Sequence, residues 1–574
     1  MVWNALTEGL GEALRAVGLW SEERLGRIEL AIPRDPAHGD WTTNLALLLA
    51  KEAKRPPRAL AESLARAFAR DPALFEGVEV AGPGFLNFRY APAFLEALPA
   101  RIAAADRGFG RSAGGAGVRV LVEYVSANPT GPLNVVSARA AAVGAALVRL
   151  LEATGHDAAG EYYVNDSGAQ VDLLGESVAA RFAERIGRTR PMPEQGYRGG
   201  YVAEIAAALP EAAARAALER DQAAWFRDQA LERMIESQRR DLSDYGAEFA
   251  AWFRESSLHG SGAVEATLAE LGARGMTYRA REPEAFSGDR PPGGTEEAGE
   301  RGDATFLRTH RFGDDQDRVI VRANGVPTYL LPDIAYHRDK RRRGFRHAVD
   351  LLGPDHHGYI ARMRAALQAL GLEPDFLEVL LVQQVNLLSQ GETVKMSKRA
   401  GEFVTLRDLM SDVGADCAKF FFLMRSTNAH LDFDLDLARA RNDENPAYYV
   451  QYAHARIASI LRFAAERGLA GEGGRVALEQ PEETALARKL AAFPEVVRGA
   501  AAAREPHRLP AYLIETAAEF HRFYHACRVV TDDVARSRGR LLRAGAARIV
   551  LRNGLALMGV SAPERMEREV EAAP

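Results

Sequence analysis

Between Val118 and Val125 the chain reads VRVLVEYV, a short β-branched run with the marks of a buried strand. A loop rich in Asn, Pro and Gly follows at Ser126–Pro132. From about Val135 to Ala153 apolar residues recur at helical spacing in an alanine-rich stretch. Gly155 ends it, and Glu161–Val164 resumes strand character. Strand, tight loop, long helix and strand make a βαβ unit, the opening of a parallel sheet whose ligands bind at the carboxyl ends of its strands. Further strand-like pieces fall at Arg318–Arg322, Thr328–Leu331, His347–Leu352 and Leu377–Val385. Ahead of this unit, residues 1–95 read as a small α/β module: a helical start, a turn at His38-Gly39-Asp40, a helix through Asn44–Lys54, and a strand around Val78–Val80 that leads to GPGFLNF. The Gly-rich stretch 106–117 is a linker. Its Gly108-Phe109-Gly110 echoes a dinucleotide-binding turn, but no strand precedes it and no helix follows closely. Residues 165–275 read as mostly helical and 283–303 as a polar surface insertion. From Asn445 the chain is nearly all helical, with an acidic break around 471–484. The pattern predicts a multidomain α/β protein with units at 1–95, 110–435 and 445–574.

With 574 residues the chain is too long for one core. A hydrophobic content of 47% and a charged content of 26% fit an ordinary soluble protein. The N-terminus alternates apolar and charged residues, unlike a signal peptide, and no apolar run reaches bilayer length, so a cytoplasmic location is expected. Cys417 and Cys527 lie in apolar contexts and read as buried reduced thiols. A net charge of −5 argues against general nucleic-acid binding, but its distribution is uneven. Residues 446–574 hold 19 basic and 15 acidic side chains, including Arg536, Arg538, Arg540 and Arg543. Lys340-Arg341-Arg342-Arg343 with Arg346 forms a second cluster. Such faces suit a large polyanion touching part of the surface; solvated helix faces are the alternative.

Only seven of the 73 basic residues are lysine, and two of them sit in Lys395-Met396-Ser397-Lys398-Arg399. Compact, mobile ammonium groups suit a moving phosphate. Far upstream, the first strand runs into EYVSANPTGPL at Glu123–Leu133. Next come Tyr162-Tyr163-Val164-Asn165-Asp166, Tyr329–Ala335 (YLLPDIA), Gly353–Tyr359 (GPDHHGY) and Tyr448–Arg456 (YYVQYAHAR). This series, in order over essentially the whole chain, resembles the arginine-specific class I aminoacyl-tRNA synthetases.

The resemblance implies a Rossmann-type catalytic domain between an N-terminal domain that binds the tRNA elbow and an α-helical anticodon-binding bundle. It implies a two-step reaction: ATP, brought with Mg2+, and L-arginine give arginyl-adenylate and pyrophosphate, and the arginyl group then passes to tRNA(Arg). No protein-held metal and a monomeric chain are expected. Lys395 and Lys398 would bind the departing pyrophosphate, with Ser397 donating a hydrogen bond. The family's two histidines after Pro132-Leu133 are replaced by Asn134 and Ser137, which donate hydrogen bonds but carry no positive charge. Val136 stands where a glycine normally lets the adenine ring approach closely. The helix N-terminus there would offer backbone N–H groups to phosphate. Pro132, Gly353, Asp355, His356 and Met396 complete the expected ATP site. Asp355, His356 and His357 could also suggest a metal site, but partner ligands are not evident.

Glu123 and Asn128 would meet the α-amino end and backbone of the arginine substrate. Tyr329 and Asp333, four apart and on one face if helical, would grip its guanidinium. Phe85 and Asn87 would stack on and hydrogen-bond an unpaired tRNA base, unless Phe85 is core. Tyr448, Tyr449, Gln451 and Tyr452 offer stacking and amide groups to the anticodon. Two other functions stay open at this point. A noncatalytic tRNA-binding relative is motivated by Asn134 and Ser137 but opposed by the otherwise intact site residues. A small-metabolite nucleotidyltransferase leaves the C-terminal bundle unexplained.

Overall fold

The structure, a computed structural model, describes residues 2–33, 35–281, 302–354, 357–394, 404–469 and 476–566. The N-terminal unit is a three-stranded antiparallel sheet, order β1-β3-β2, from β1 (Trp41–Thr43), β2 (Phe75–Ala81) and β3 (Phe85–Tyr90). Helices pack over it, and the buried Trp41 indole donates to the Tyr90 hydroxyl at 2.7 Å. Asn87, on β3, is buried and accepts from the Thr42 hydroxyl on β1, whereas Phe85 is 38% exposed.

The central sheet is five-stranded and wholly parallel. It contains β4 (Arg119–Glu123), β5 (Asp157–Val164) and β6 (Ala251–Arg254). Three short strands follow in a separate antiparallel sheet: β7 (Thr277–Arg281), β8 (Asp303–Leu307) and β9 (Arg318–Val321). The sheet is completed by β10 (His347–Leu352) and β11 (Leu377–Leu381), in the order β11-β10-β4-β5-β6. β4 is therefore flanked by strands that come later in the chain on both sides, the arrangement that opens a crevice at its carboxyl end. The helix Val135–Ala153 lies against this sheet, its alanines and Gly144 allowing close approach. A side chain at Gly144 would start 2.1 Å from the Tyr124 ring. A last small sheet joins β12 (Val385–Ser389), β13 (Glu392–Thr393) and β14 (Leu431–Asp434).

Several expectations change here. Thr328–Leu331 is not a strand: the Thr328 hydroxyl and N–H are tied back to Val319 and Ile320 on β9, and the helix Leu330–Arg342 begins at once. β6 completes the sheet from within the stretch read as helical, and Leu377–Val385 divides into β11 and the start of β12. Of the insertion expected at 283–303, residues 283–301 lie outside the described residues; β7 and β8 pair antiparallel on either side of it.

Both predicted basic clusters are drawn partly inward or into ion pairs, while Arg342, Arg346, Arg536 and Arg538 stay exposed. Lys340 is fully enclosed, Arg341 pairs with Glu373 and Arg343 with Glu161. At the other cluster Arg536 pairs with Glu479, and Arg540 and Arg543 converge on buried Glu483. Both thiols are free; Cys527 is buried and Cys417 half-buried, its pKa pushed up to about 11 by burial. Among the described residues, no helix is long and apolar enough to cross a membrane.

The C-terminal helices Pro446–Ala465, Pro481–Ala491, Phe493–Ala502, Arg508–Ala526 and Val534–Leu557 pack both on the N-terminal unit and on the central one. Phe109 of the 106–117 linker stacks on Phe493, and Arg488 pairs with buried Asp40. One apolar core runs through all three regions.

Candidate functional site

At the carboxyl end of β4 the backbone turns through two consecutive left-handed residues, Val125 (φ 71°) and Ser126 (φ 41°). For a β-branched residue this conformation is strained, and it persists only where neighbours enforce it. The enforcement is visible. The Ser126 hydroxyl donates to Glu123 Oε1 at 3.0 Å and accepts from the Tyr163 N–H. The buried Gln238 amide donates to the Asn128 and Gly131 carbonyls, and the Tyr201 hydroxyl to that of Thr130. The Tyr162 hydroxyl sits 2.9 Å from the Ala127 carbonyl. A polar loop is thereby held rigid, with Asn128 exposed and its amide donating to Gln170.

The loop ends at Asn134, which caps the helix Val135–Ala153. Its Oδ1 accepts from the Val136 and Ser137 N–H groups at 3.1 and 3.0 Å. Two of the backbone donors expected to face phosphate are therefore occupied by the cap, and the Nδ2 group is what Asn134 has left to offer. Pro132 and Ser137 are half-buried beside it. Asn134 also forms an antiparallel bridge with Thr405, and the Leu406 N–H donates to the Leu133 carbonyl. Lys395, Met396, Ser397 and Lys398 lie outside the described residues. The chain leaves β13 for that segment at Val394 and is described again at Val404, against Asn134. Asp355 and His356 also lie outside the described residues; Gly353 follows β10, whose Asp350 is in register with Glu123.

The helix Leu330–Arg342 carries the opposite wall. Tyr329 stands at its start, 53% exposed. Asp333, in its first turn, accepts from the Tyr359 hydroxyl at 2.5 Å. Burial raises its carboxyl to about 6, the Tyr359 bond working in the opposite direction. Glu255, just past β6, was not read from the sequence. Burial raises its pKa too, opposed by the Tyr163 hydroxyl bonded to it. Its charge and that of Asp333 both bear on the Tyr163 phenol. The turn bearing Glu255 is fixed by Asp166, whose carboxylate takes the Ser256 N–H and hydroxyl at 2.8 and 2.7 Å. Among the described residues neither Asp333 nor Glu255 is ion-paired with a lysine or arginine. Two carboxylates raised by burial, walled by Tyr163, Tyr329 and Tyr359, form a site prepared for a cation with several donors. Sequence alone gave Glu255 no motif; its place on the strand end made it part of the site.

Beneath this wall, Glu123 is buried. Its Oε2 accepts from Lys340 Nζ at 2.6 Å. Phe85 faces solvent while Asn87 is bonded inside its sheet, so the expected pair does not point outward together. Tyr448 is buried, and the Gln451 amide is engaged by Ser561 and Asp416. A groove of about 1530 Å³ lies on the C-terminal bundle instead, lined among others by Tyr452, Arg456, Phe463, Arg467, Tyr524 and Arg528. Arg456 stacks 4.7 Å over Tyr524, and Arg467 3.4 Å over Phe463.

Comparison with known proteins matches residues 450–566 to the DALR anticodon binding domain and residues 4–90 to the arginyl tRNA synthetase N terminal domain. The chain is 44% identical over 568 residues to an arginine–tRNA ligase of Geobacillus kaustophilus, covering 98% of each. It is 42% identical over 569 residues to one of Bacillus subtilis, covering 98% of this chain and 99% of that one. Among solved structures, Thermus thermophilus arginyl-tRNA synthetase superposes with a TM-score of 0.76 at 24% identity, over 99% of this chain and 100% of that one. Mycobacterium tuberculosis methionyl-tRNA synthetase bound to methionyl-adenylate superposes with a TM-score of 0.55 at 15% identity, over 78% and 92%. These two likenesses concern the fold.

Proposed function

The chain belongs to the arginyl-tRNA synthetase family, and from that membership we propose how its residues attach arginine to tRNA. The reaction is ATP-dependent ligation of L-arginine to its tRNA. The arginine carboxylate attacks the α-phosphorus of ATP, a C–O–P bond forms and pyrophosphate leaves. A terminal ribose hydroxyl of the tRNA then attacks the activated carbonyl, and AMP leaves. Such transfers depend on positioning and on stabilising charge.

Asp333 and Glu255 take the guanidinium, flanked by Tyr329 and Tyr163. Asn128 and the Glu123 end of β4 take the amino end of the substrate. Asn134, through Nδ2, and Ser137 donate to the triphosphate at the head of the long helix. Pro132, Gly353, Asp355, His356 and Met396 border the adenosine. Lys395, Ser397 and Lys398 follow the departing pyrophosphate, on a segment whose far flank lies against Asn134. Mg2+ arrives with the nucleotide, held largely by its phosphates. The anticodon meets the Arg-aromatic groove of Arg456, Phe463 and Tyr524, where unpaired bases can stack beside cations. Phe85 presents an aromatic face on the N-terminal unit to the body of the tRNA. The chain works as a monomer in the cytoplasm.

The pair of half-buried carboxylates that, among the described residues, pair with no lysine or arginine supports the assignment of arginine as substrate. The test is ATP–pyrophosphate exchange in the presence of unfractionated tRNA, with each amino acid in turn. Exchange with arginine is expected; exchange with a different amino acid instead would overturn the assignment.

A further inference from the structure

Lys340 is one of seven lysines in a chain that otherwise uses arginine, and it is completely buried. Its Nζ donates to Glu123 Oε2 at 2.6 Å and to Asp350 Oδ1 at 2.9 Å, and lies 4.2 Å from the centre of the Tyr336 ring. An ammonium has three donors; two are spent on carboxylates and the third side faces the ring. A buried cation of this kind persists only because it is paired.

The three residues so joined belong to three different elements. Glu123 ends β4 and, through Ser126, pins the strained turn that carries Asn128. Asp350 is on the adjacent β10. Lys340 itself lies seven residues after Asp333 on the same helix, two turns along one face. Between them His337 bonds the Asp333 carbonyl and Asp350 Oδ2, both at 2.8 Å. The helix that bears the guanidinium end of the site is thus pinned to the two strands beneath the amino end, and the closing pin is a single compact ammonium.

We propose that Lys340 is a positioning residue that sets the distance between the two ends of the arginine site, and hence selectivity for the length of the amino acid. This rests on the reading of Asp333 and the Glu123–Asn128 strand end given above. A rigid site separates substrates differing by one methylene by about 10- to 200-fold. A site whose ends can slide loses that margin without losing its attraction for a guanidinium.

The test compares wild type, Lys340→Arg and the charge-balanced pair Lys340→Met/Asp350→Asn. Readouts are kcat and KM for arginine, KM for ATP, and competition by the arginine homologues one methylene longer and shorter. Lys340→Arg keeps the charge and pairing, but its longer planar fork forces helix and strands apart. It should fold and shift preference toward the longer homologue. The double variant should raise the arginine KM about tenfold or more and erase most of the length selectivity, with the ATP KM unchanged. Wild-type selectivity in a folded Lys340→Arg protein would overturn the proposal, as would wild-type arginine KM in the folded double variant. Failure of the wild type itself to use arginine would instead overturn the underlying reading of the site.

Discussion

Asp333 sits where burial works against its charge, and its carboxyl titrates near 6. A guanidinium needs the ionised form. Because the pKa is raised, the proton is held more tightly in the folded protein than in the unfolded chain, and its stabilising effect is lost as pH rises through about 6. Arginine binding has the opposite sign: it is full above that pH and lost below it. The arginine KM should be flat from pH 7 to 8 and rise toward tenfold per unit below about 6, measured with tRNA present. Arginine should also raise the melting temperature more at pH 8 than at pH 5.5. Asp333→Asn removes the charge in place. Truncating one partner of a buried charge pair costs about 2–5 kcal/mol. A loss of at least about 30-fold in kcat/KM for arginine is therefore expected, with the ATP KM little changed.

On the reading proposed above, the start of the helix Val135–Ala153 serves two purposes, capping the helix and donating to the triphosphate. Asn134 spends its carbonyl oxygen on the cap and retains an amide. Asn134→Asp keeps the cap, since both residues cap equally well, but points a negative charge at the triphosphate. The variant should melt like the wild type and lose about tenfold or more in pyrophosphate exchange. Asn134→Ala should instead lose about 1 kcal/mol of stability as well as activity.

This helix and β4 were legible in the sequence because each is long or strongly patterned, and helical spacing and β-branching report burial directly. β6 was not, because Ala-Trp-Phe-Arg is four half-buried residues amid helices, and only its pairing with β5 makes it a strand. Lys340 was misread because it stands in a run of arginines, and nothing local shows that one of four cations turns inward to carboxylates 217 and 10 positions away. Glu255 escaped for the same reason, being brought to Asp333 by the sheet rather than by spacing. The pairing of Arg536 with Glu479, and of Arg540 and Arg543 with one buried Glu483, was equally invisible to a count of charges.

Across the molecule, a protein with net charge −5 must meet a polyanion through local features. On the reading proposed above, the groove on the C-terminal bundle supplies them, with Arg456, Arg467 and Arg528 among aromatic rings. Phe463 is 45% exposed there, so removing its ring should leave the fold intact. A base–aromatic stack contributes about 1–3 kcal/mol. Phe463→Ala should raise the KM for tRNA about fivefold or more and leave the arginine KM unchanged. The most direct measurement is charging of an unfractionated tRNA pool with labelled arginine, wild type beside Lys398→Ala. Robust charging by the wild type that collapses in the variant is the predicted result, with Asn134 and Ser137 serving where the family has histidines. Absence of charging by a folded wild-type protein that still binds tRNA would contradict the account and leave an RNA-binding protein with a disabled catalytic site.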